Sequence, residues 1–128
     1  MLPPALTDLG LEAAVTELTA RMPFRVDLAL PSQRLPERVE VTTYFLIAES
    51  LTNAVKHAQA SRVKVDVKVT DGRAVIDISD DGIGGANATA GSGLHGLADR
   101  VDAFEGRLAV TSRDGAGTHV HAELPCAA

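Results

Sequence analysis

One predicted helix carries a polar face with residues suited to phosphate chemistry. The stretch AESLTNAVKHA contains Glu49, Asn53 and Lys56 at spacings of four and three residues, with His57 beside them. These spacings bring side chains to one side of a helix. A carboxylate beside an amide oxygen suits Mg²⁺, whose other ligands are commonly waters and substrate phosphates. Lys56 and His57 are placed to meet phosphate oxygens.

A second candidate group ends a predicted strand at SDDGIGG. Ile76 and Ile78 alternate with polar residues, and Asp80 continues their parity, so we expect its side chain to face the helical layer. An unpaired carboxylate there would cost roughly several kcal/mol and needs a hydrogen-bond donor. Gly82 and Gly84 leave room for a ligand near the backbone. A buried acceptor of this kind suits an exocyclic amine such as that of adenine.

A third candidate lies in GSGLHG, where Gly91 and Gly93 immediately precede a predicted helix. Free backbone N–H groups and the helix dipole favour an anion at such a position. Thr118 shares parity with Val120 and Ala122 of the last strand, so its hydroxyl is also expected to face the helical layer.

Each candidate has a simpler interpretation. Asp80 and Asp81 are also suited to capping a turn, and Glu49 or Lys56 to solvated positions on a helix. His119 and His121 have a spacing compatible with a metal site, but their parity places them away from the ligand layer, so we expect them to face solvent. GSGLHG matches a dinucleotide-binding glycine pattern but follows a loop rather than a first strand. A P-loop is excluded, because no Gly precedes Lys-Ser or Lys-Thr.

Periodicity places these candidates on a predicted α/β framework. The sequence predicts helices over Thr7–Arg21, with Thr7 as N-cap, over Pro36–Ala60 and over Gly93–Gly106. Strands are predicted at Phe24–Leu30, Ser61–Val69, and in the runs RAVIDISD, RLAVTSR and THVHAELP, with hairpin turns at Asp71–Gly72 and at DGAG. The order predicts a two-layer α/β sandwich with a mixed, mostly antiparallel sheet covered on one face by helices.

Composition limits the class of protein. The 128 residues, 45% apolar and 23% charged, are typical of one soluble globular domain. A formal net charge of −5 and few aromatic residues argue against nucleic-acid binding. The one cysteine, Cys126, cannot form an internal disulfide, and no apolar run approaches the length of a membrane span. We therefore expect a cytoplasmic domain, without direct membrane contact.

Four segments together resemble the catalytic domains of histidine kinases. AESLTNAVKHA is similar to their N box, DDGIGG to the G1 box, GSGLHGLADRV to the G2 box and GAGTHVHAELP to their terminal strand motif. That superfamily (GHKL, with the Bergerat ATPase fold) includes gyrase, the heat-shock chaperone ATPase and mismatch-repair ATPases. The variant resembles sensor kinases paired with NarL-type response regulators, and LPPALTDLGLEAAV is similar to the join with their dimerisation domain.

The resemblance implies roles for individual residues. Asp80 would bind the adenine amine, Thr118 would support it, Asn53 would coordinate Mg²⁺ and Glu49 would help polarise the attacking group. Lys56 and His57 would contact phosphates. The glycines of the two boxes, with Leu94, would shape the nucleotide pocket and lid: Gly82, Gly84, Gly91, Gly93 and Gly96.

The chain departs from the family pattern in three respects. The lid between Gly85 and Gly91 is short, and no F box is present. No histidine lies on a long N-terminal helix hairpin, so the phosphoacceptor is expected upstream, outside this chain, with residues 1–20 as the join to it. The function expected is the ATP-binding domain of a sensor histidine kinase, homodimeric as a whole, acting with Mg-ATP and a response regulator. The alternatives are a stand-alone anti-sigma-factor serine kinase and a nucleotide-sensing module without phosphotransfer.

Overall fold

The computed structural model describes residues 3–83, 94–113 and 115–126. Its helices are α1 (Pro4–Leu9), α2 (Leu11–Thr19), α3 (Glu37–Asn53) and α4 (Leu94–Ala103), and α3 continues directly as a π-helical turn (Ala54–Ala58). Its strands are β1 (Arg25–Ala29), β2 (Arg62–Thr70), β3 (Arg73–Asp80), β4 (Arg107–Ser112) and β5 (Thr118–Pro125).

The five strands form one sheet in the order β1-β2-β3-β5-β4. β1 pairs with β2 in parallel, and the other three pairs are antiparallel. Asp71 and Gly72 both have positive φ, at 53° and 75°, as the predicted two-residue hairpin turn between β2 and β3 requires. The predicted mixed, mostly antiparallel sheet is therefore confirmed.

The core lies between one face of the sheet and the helices. Along β3 the side chains of Ala74, Ile76 and Ile78 are at most 2% exposed. Three residues of β5 and three of β2 on the same face are at most 3% exposed: Val120, Ala122, Leu124, Val63, Val65 and Val67. From the helical side they meet residues such as Leu46, Ile47 and Leu51 of α3. The two-layer sandwich follows from strand alternation, which sends every second side chain into the same layer.

The N-terminal helix differs from the prediction. One helix over Thr7–Arg21 was expected, but the structure has two, separated at Gly10, and Thr7 lies inside α1 rather than at an N-cap. Gly10 has φ +101°, a backbone angle that residues with a side chain rarely adopt. A Cβ at Gly10 would also lie 2.8 Å from Cδ of Arg34. Gly10 therefore provides both the backbone angle that separates the two helices and the space that the Arg34 side chain occupies.

Arg34 makes that contact because it is held by a buried carboxylate. Glu40, only 2% exposed, accepts hydrogen bonds from Nε and Nη2 of Arg34 at 3.1 and 3.0 Å and from the Leu35 N–H at 3.1 Å. Arg34 also donates to the Thr7 carbonyl at 3.4 Å. Hydrogen bonding to Glu40 raises the pKa of Arg34. The pair joins α1 to the beginning of α3, and Leu6, Leu11 and Val15 pack in the core.

The other two helices occur where predicted, with different ends. Helical structure runs from Glu37 to Ala58, and Gln59 ends it with φ 51°. α4 spans Leu94–Ala103, and the left-handed residue after it is Glu105 (φ 60°), whereas Gly106 was expected to end the helix. Gly106 is needed for space instead, because a Cβ there would lie 2.6 Å from the Glu123 carbonyl oxygen. Among the described helices, none is both long and apolar enough to cross a membrane.

Candidate functional site

Asp80 ends β3 with its carboxylate held through one oxygen. Oδ1 accepts hydrogen bonds from the backbone N–H groups of Gly82 at 2.9 Å and Thr118 at 3.3 Å. Oδ2 accepts none within residues 3–83, 94–113 and 115–126. Gly117 allows this approach, because a Cβ there would collide with the Asp80 carbonyl oxygen. The half-buried carboxylate therefore keeps one oriented acceptor for a ligand.

The neighbouring Asp81 has a different role. Its Oδ1 accepts from the backbone N–H groups of Ser61 and Arg62 at 2.9 and 3.0 Å, and its Oδ2 accepts from the Ser61 hydroxyl at 2.6 Å. These hydrogen bonds, the Ser61 hydroxyl foremost, lower the pKa of Asp81. Asp81 thus fixes the beginning of β2 to the end of β3. The turn-capping alternative fits Asp80 in part, through its bond to the Gly82 N–H two residues further on, whereas Asp81 binds residues 19 and 20 positions away.

Asn53 is the last residue of α3 and is 9% exposed. Its side chain makes no hydrogen bond to the part of the chain that the structure describes. The residue is largely buried, but its amide is not among the fully buried, unpaired side-chain atoms of the described residues, so the amide is open to a ligand. The π-helical turn begins at the next residue, and such turns occur frequently at functional sites. The sequence pattern did not indicate this turn.

The π-helical turn changes the predicted polar face. Lys56 was expected to stack with Glu49 and Asn53, but it lies within the turn and is exposed. A π-helical turn contains more residues than an α-helical one, so each residue turns less about the axis and Lys56 does not reach the position that α-helical spacing predicts. His57 belongs to the same turn, and its side chain is outside the described part of the chain.

Glu49 is half-buried and lines a cleft of about 460 Å³ together with Gly96 of α4. Leu94, at the beginning of α4, is 4% exposed and belongs to the core. Gly84, Gly91 and Gly93 lie outside the described residues, so the anion site expected before α4 stays a prediction. Asp80 and Asn53 are joined by no hydrogen bond in the described segments.

Thr118 supports Asp80 through its backbone rather than its side chain. Its parity is the predicted one, since Val120 and Ala122 of β5 are buried. The hydroxyl, however, lies 3.0 Å from the Ser112 hydroxyl on the neighbouring strand β4. The Thr118 N–H is the group that contacts Asp80.

His119 and His121 lie away from the helical layer, as their parity predicted. Both contact Oδ1 of Asp77, at 3.0 and 2.7 Å, and His121 also lies 3.1 Å from Glu123. The prediction of simple solvent exposure holds for His119, whereas His121 is half-buried. In the described segments, no group of three or more His, Cys, Asp and Glu side chains is arranged to hold a metal ion.

Comparison with known families gives one match over most of the chain. Residues 39–128 match the family described as histidine kinase-, DNA gyrase B- and HSP90-like ATPase. The match includes α3, β2 to β5 and α4, and with them the positions of Glu49, Asn53, Asp80 and Thr118.

Similar curated proteins are sensor histidine kinases. The chain is 32% identical to ComP of Bacillus subtilis over 95% of the chain and 17% of that protein. It is 28% identical to the oxygen sensor NreB of Staphylococcus carnosus over 96% of the chain and 38% of that protein. It is 31% identical to the nitrate/nitrite sensor NarX of Escherichia coli over 87% of the chain and 19% of that protein. The chain thus spans between 17% and 38% of the length of these relatives.

Solved structures share the fold. The histidine kinase domain of the Erythrobacter litoralis EL346 blue-light activated histidine kinase matches with a TM-score of 0.70 at 24% identity, over 88% of this chain and 56% of that one. The histidine kinase AdeS of Acinetobacter baumannii matches with a TM-score of 0.65 at 18% identity, over 90% of this chain and 60% of that one. Both likenesses support the two-layer sandwich that the described strands and helices form.

Proposed function

Because this chain belongs to the family of histidine kinase-, DNA gyrase B- and HSP90-like ATPases, we propose that it is the ATP-binding catalytic domain of a two-component sensor histidine kinase. The observation that carries the proposal is Asp80. One carboxylate oxygen is fixed by two backbone N–H groups, and the other accepts no hydrogen bond from the described residues. A preoriented acceptor at the covered end of a strand suits the exocyclic amine of adenine.

Asn53 is suited to be a ligand of Mg²⁺. Its amide makes no hydrogen bond to the described residues, and an amide oxygen is a ligand that Mg²⁺ takes beside waters and phosphates. Asn53 would hold the ion, with Glu49 close enough along α3 to contribute. Bound Mg²⁺ supplies charge neutralisation on the phosphates. Lys56, His57 and the backbone of Gly91, Gly93 and Gly96 would hold the phosphates in place.

Glu49 is positioned to act on the group that receives phosphate. It lies one helical turn before Asn53 and lines an open cleft. In the proposed reaction the bond between the γ-phosphorus and ADP breaks, and a bond forms to a histidine nitrogen of a phosphoacceptor domain outside this chain. Glu49 would polarise that imidazole by accepting a hydrogen bond from it. Transfer to a response regulator would follow.

The relatives favour this function over the alternatives. ComP and NreB are named as sensor histidine kinases and NarX as a nitrate/nitrite sensor protein, which disfavours a stand-alone serine kinase. A nucleotide-sensing module without transfer would not need Glu49 beside Asn53. Residues 1–128 would form one ATP-binding domain, with the first 20 residues leading from the phosphoacceptor domain, and the whole kinase would be a homodimer.

Titration calorimetry with ATP, in Mg²⁺ and in excess chelator, tests the proposal. We expect Asn53→Ala to weaken binding about tenfold or more in Mg²⁺, because a hydrogen-bonded or metal-bound buried amide is lost, and to change it little in chelator. Gln33→Ala, which removes an exposed amide in the loop before α3, should leave both affinities unchanged. Equal losses of affinity with and without Mg²⁺ would remove Asn53 from the metal shell. Absence of ATP binding by the unaltered chain would refute the proposed function.

A further inference from the structure

The side chain of Asp81 binds the segment that leads from α3 into β2. The Ser61 N–H donates to Asp81 Oδ1 at 2.9 Å, and the Ser61 hydroxyl donates to Oδ2 at 2.6 Å. The Arg62 N–H donates to the same Oδ1 at 3.0 Å. These three hydrogen bonds form the Asp81 clamp, which uses both carboxylate oxygens and joins segments 20 residues apart.

Ser61 is a junction between three strands. Its carbonyl accepts the Arg25 N–H of β1 at 3.3 Å, and the Asp81 N–H donates to the Arg62 carbonyl at 3.3 Å. In the pairing of β2 with β3, Asp80 lies opposite Val63. The clamp therefore closes this strand pair directly beyond Asp80, at the end of the sheet where the proposed adenine contact lies.

The segment between Asn53 and Ser61 has two unusual backbone features. The π-helical turn (Ala54–Ala58) follows Asn53, and Gln59 then ends it in the left-handed region with φ 51°. π-Helical turns are rare, and a left-handed residue other than glycine costs energy and persists only where the surrounding structure holds it. Only Ala60 separates Gln59 from Ser61. The clamp thus fixes the chain directly after these two features.

The clamp lies between two groups that are assigned to different parts of the nucleotide. Asp80, next to Asp81 in the chain, is proposed for the adenine, whereas Asn53 and Lys56 are proposed for Mg²⁺ and the phosphates. Asp80 has its own anchors, because the backbone N–H groups of Gly82 and Thr118 hold its Oδ1. Asn53 ends α3, and Lys56 lies within the π-helical turn. The distance between the two groups therefore depends on how this turn is joined to the end of β3.

We propose that Asp81 is a positioning residue for nucleotide binding. Its clamp on Ser61 holds the π-helical turn in register with Asp80, so that one ATP molecule reaches the adenine contact and the Mg²⁺ ligand together. Without the clamp the turn would relax toward α-helical geometry and move Lys56 relative to Asp80. Misplacement by about 1 Å is enough to cost a large factor in a site of this kind. The inference rests on the proposed function, because it uses the roles proposed there for Asp80 and Asn53.

Three variants of the chain separate the hydrogen bonds from the charge. Asp81→Ala removes the whole clamp, and Ser61→Ala removes only the hydroxyl contact. Asp81→Asn removes the charge but retains the geometry, since its amide oxygen accepts from the Ser61 and Arg62 N–H groups and its NH₂ donates to the Ser61 hydroxyl. Asp27→Asn is the matched control. Asp27 accepts from the side chains of Arg25 and Arg62 at 3.0 and 2.6 Å on β1, and its substitution leaves the clamp intact.

Calorimetry gives the Kd for ATP in Mg²⁺ and in excess chelator, and thermal melting reports folding. We expect Asp81→Ala to raise the Kd about tenfold or more in Mg²⁺ but less than about threefold in chelator, because Asp80 keeps its backbone partners. Ser61→Ala should raise the Kd in Mg²⁺ by about threefold. Asp81→Asn and Asp27→Asn should stay within about twofold of the unaltered chain under both conditions.

A double variant tests whether the clamp acts through Asn53. If Asp81 places the Mg²⁺ ligand, the two substitutions remove the same interaction and their effects do not add. We expect Asn53→Ala to weaken Mg-ATP binding less in the Asp81→Ala chain than in the unaltered one. Additive losses would show that Asp81 acts independently of Asn53 and would overturn the inference.

The other outcomes also decide between the two proposals. An unchanged Kd in Mg²⁺ for Asp81→Ala, or equal losses with and without Mg²⁺, would overturn the positioning role and leave the proposed function standing. A loss in Asp81→Asn as large as in Asp81→Ala would attribute the effect to charge and overturn the clamp. If Asp81→Ala does not fold, Ser61→Ala is judged by the same criteria. Absence of ATP binding by the unaltered chain would instead refute the proposed function, and this inference with it.

Discussion

Strands β3 and β5 present different chemistry on their two faces. On the face covered by helices, Ile76 and Ile78 of β3 and Val120 of β5 are at most 2% exposed. On the open face, Asp77 lies between His119 and His121, at 3.0 and 2.7 Å. Both sets of residues alternate along the same strands, so strand parity alone separates them.

The two faces also end differently. The covered parity of β3 continues to Asp80 and that of β5 begins at Thr118, so the two candidate nucleotide-binding groups meet where the apolar layer ends. The open face continues as charged residues that contact one another and solvent. The covered face therefore supplies the packed core and the proposed nucleotide site, while the open face supplies interactions that depend on pH.

The largest expected effect is a loss of folding stability caused by a substitution on the covered face. Ile76→Ala removes a fully buried side chain from the middle of β3 and should lower the free energy of unfolding by about 2–5 kcal/mol. Val75→Ala, the adjacent position on the open face, should lower it by under about 1 kcal/mol, because the half-exposed Val75 leaves no closed cavity. Urea denaturation measures both. Similar losses at the two positions would contradict the division of the sheet into a packed and an open face.

The second prediction compares ATP affinity after the same substitution on the covered and on the open face of the sheet. Asp80→Asn changes one of two acceptor oxygens to a donor, and we expect ATP affinity to fall about 10- to 100-fold with the fold retained, as for loss of a hydrogen bond to a charged group. Asp77→Asn makes the same substitution on the open face and should leave ATP affinity unchanged. Calorimetry and thermal melting compare the pair. Unchanged affinity in Asp80→Asn would remove Asp80 from adenine recognition.

The smallest expected effect is the pH dependence of the stability that the open face contributes. Hydrogen bonding to Asp77, and then to Glu123, raises the pKa of His121 above 6.5. Partial burial acts to raise the pKa of Asp77, but hydrogen bonds from His121 and His119 outweigh it and lower that pKa below 3.8. A raised histidine pKa adds stability that is complete below pH 6.5 and is lost as pH rises through the folded value. The lowered Asp77 pKa adds stability above pH 3.8 that is lost as pH falls.

The cluster should therefore stabilise the fold most between pH 3.8 and 6.5. We expect the stability difference between the unaltered chain and His121→Gln to be larger at about pH 5.5 than at about pH 9. The gain should stay below about 1 kcal/mol, since both side chains are 35% exposed and solvent screens them. Urea denaturation at the two pH values gives the difference, and Val75→Ala should show no such dependence. An equal difference at both pH values would exclude the cluster as a source of pH-dependent stability.

Local sequence rules predicted the framework and several site residues. Period-two alternation placed Ile76 and Ile78 in the covered layer and His119 and His121 on the other face, because neighbouring side chains of a strand must alternate. The same rule predicted that Asp80 continues the inward parity, and its contact with the Thr118 N–H is consistent with that direction. The DG turn and the helical periodicity of α3 are also local and were predicted from short windows.

Contacts between residues that are far apart in the chain were not predicted from the sequence. Asp80 and Asp81 are adjacent and chemically identical, and only their partners separate them: Thr118 is 38 residues from Asp80, and Ser61 is 20 residues from Asp81. The close packing at Gly10 involves Arg34, and the need for glycine at position 106 depends on the Glu123 carbonyl. The π-helical turn after Asn53 moved Lys56 from the predicted face.

The sequence by itself determined which faces are apolar, where strands turn and which polar residues end on the covered side. These properties follow from side-chain period and backbone preferences, which act within a few residues. Tertiary structure alone decided which partners Asp80 and Asp81 bind, how far Asn53 is buried and which helices enclose a cleft beside Glu49. Those properties depend on atoms brought together from separate segments, and no local pattern contains them.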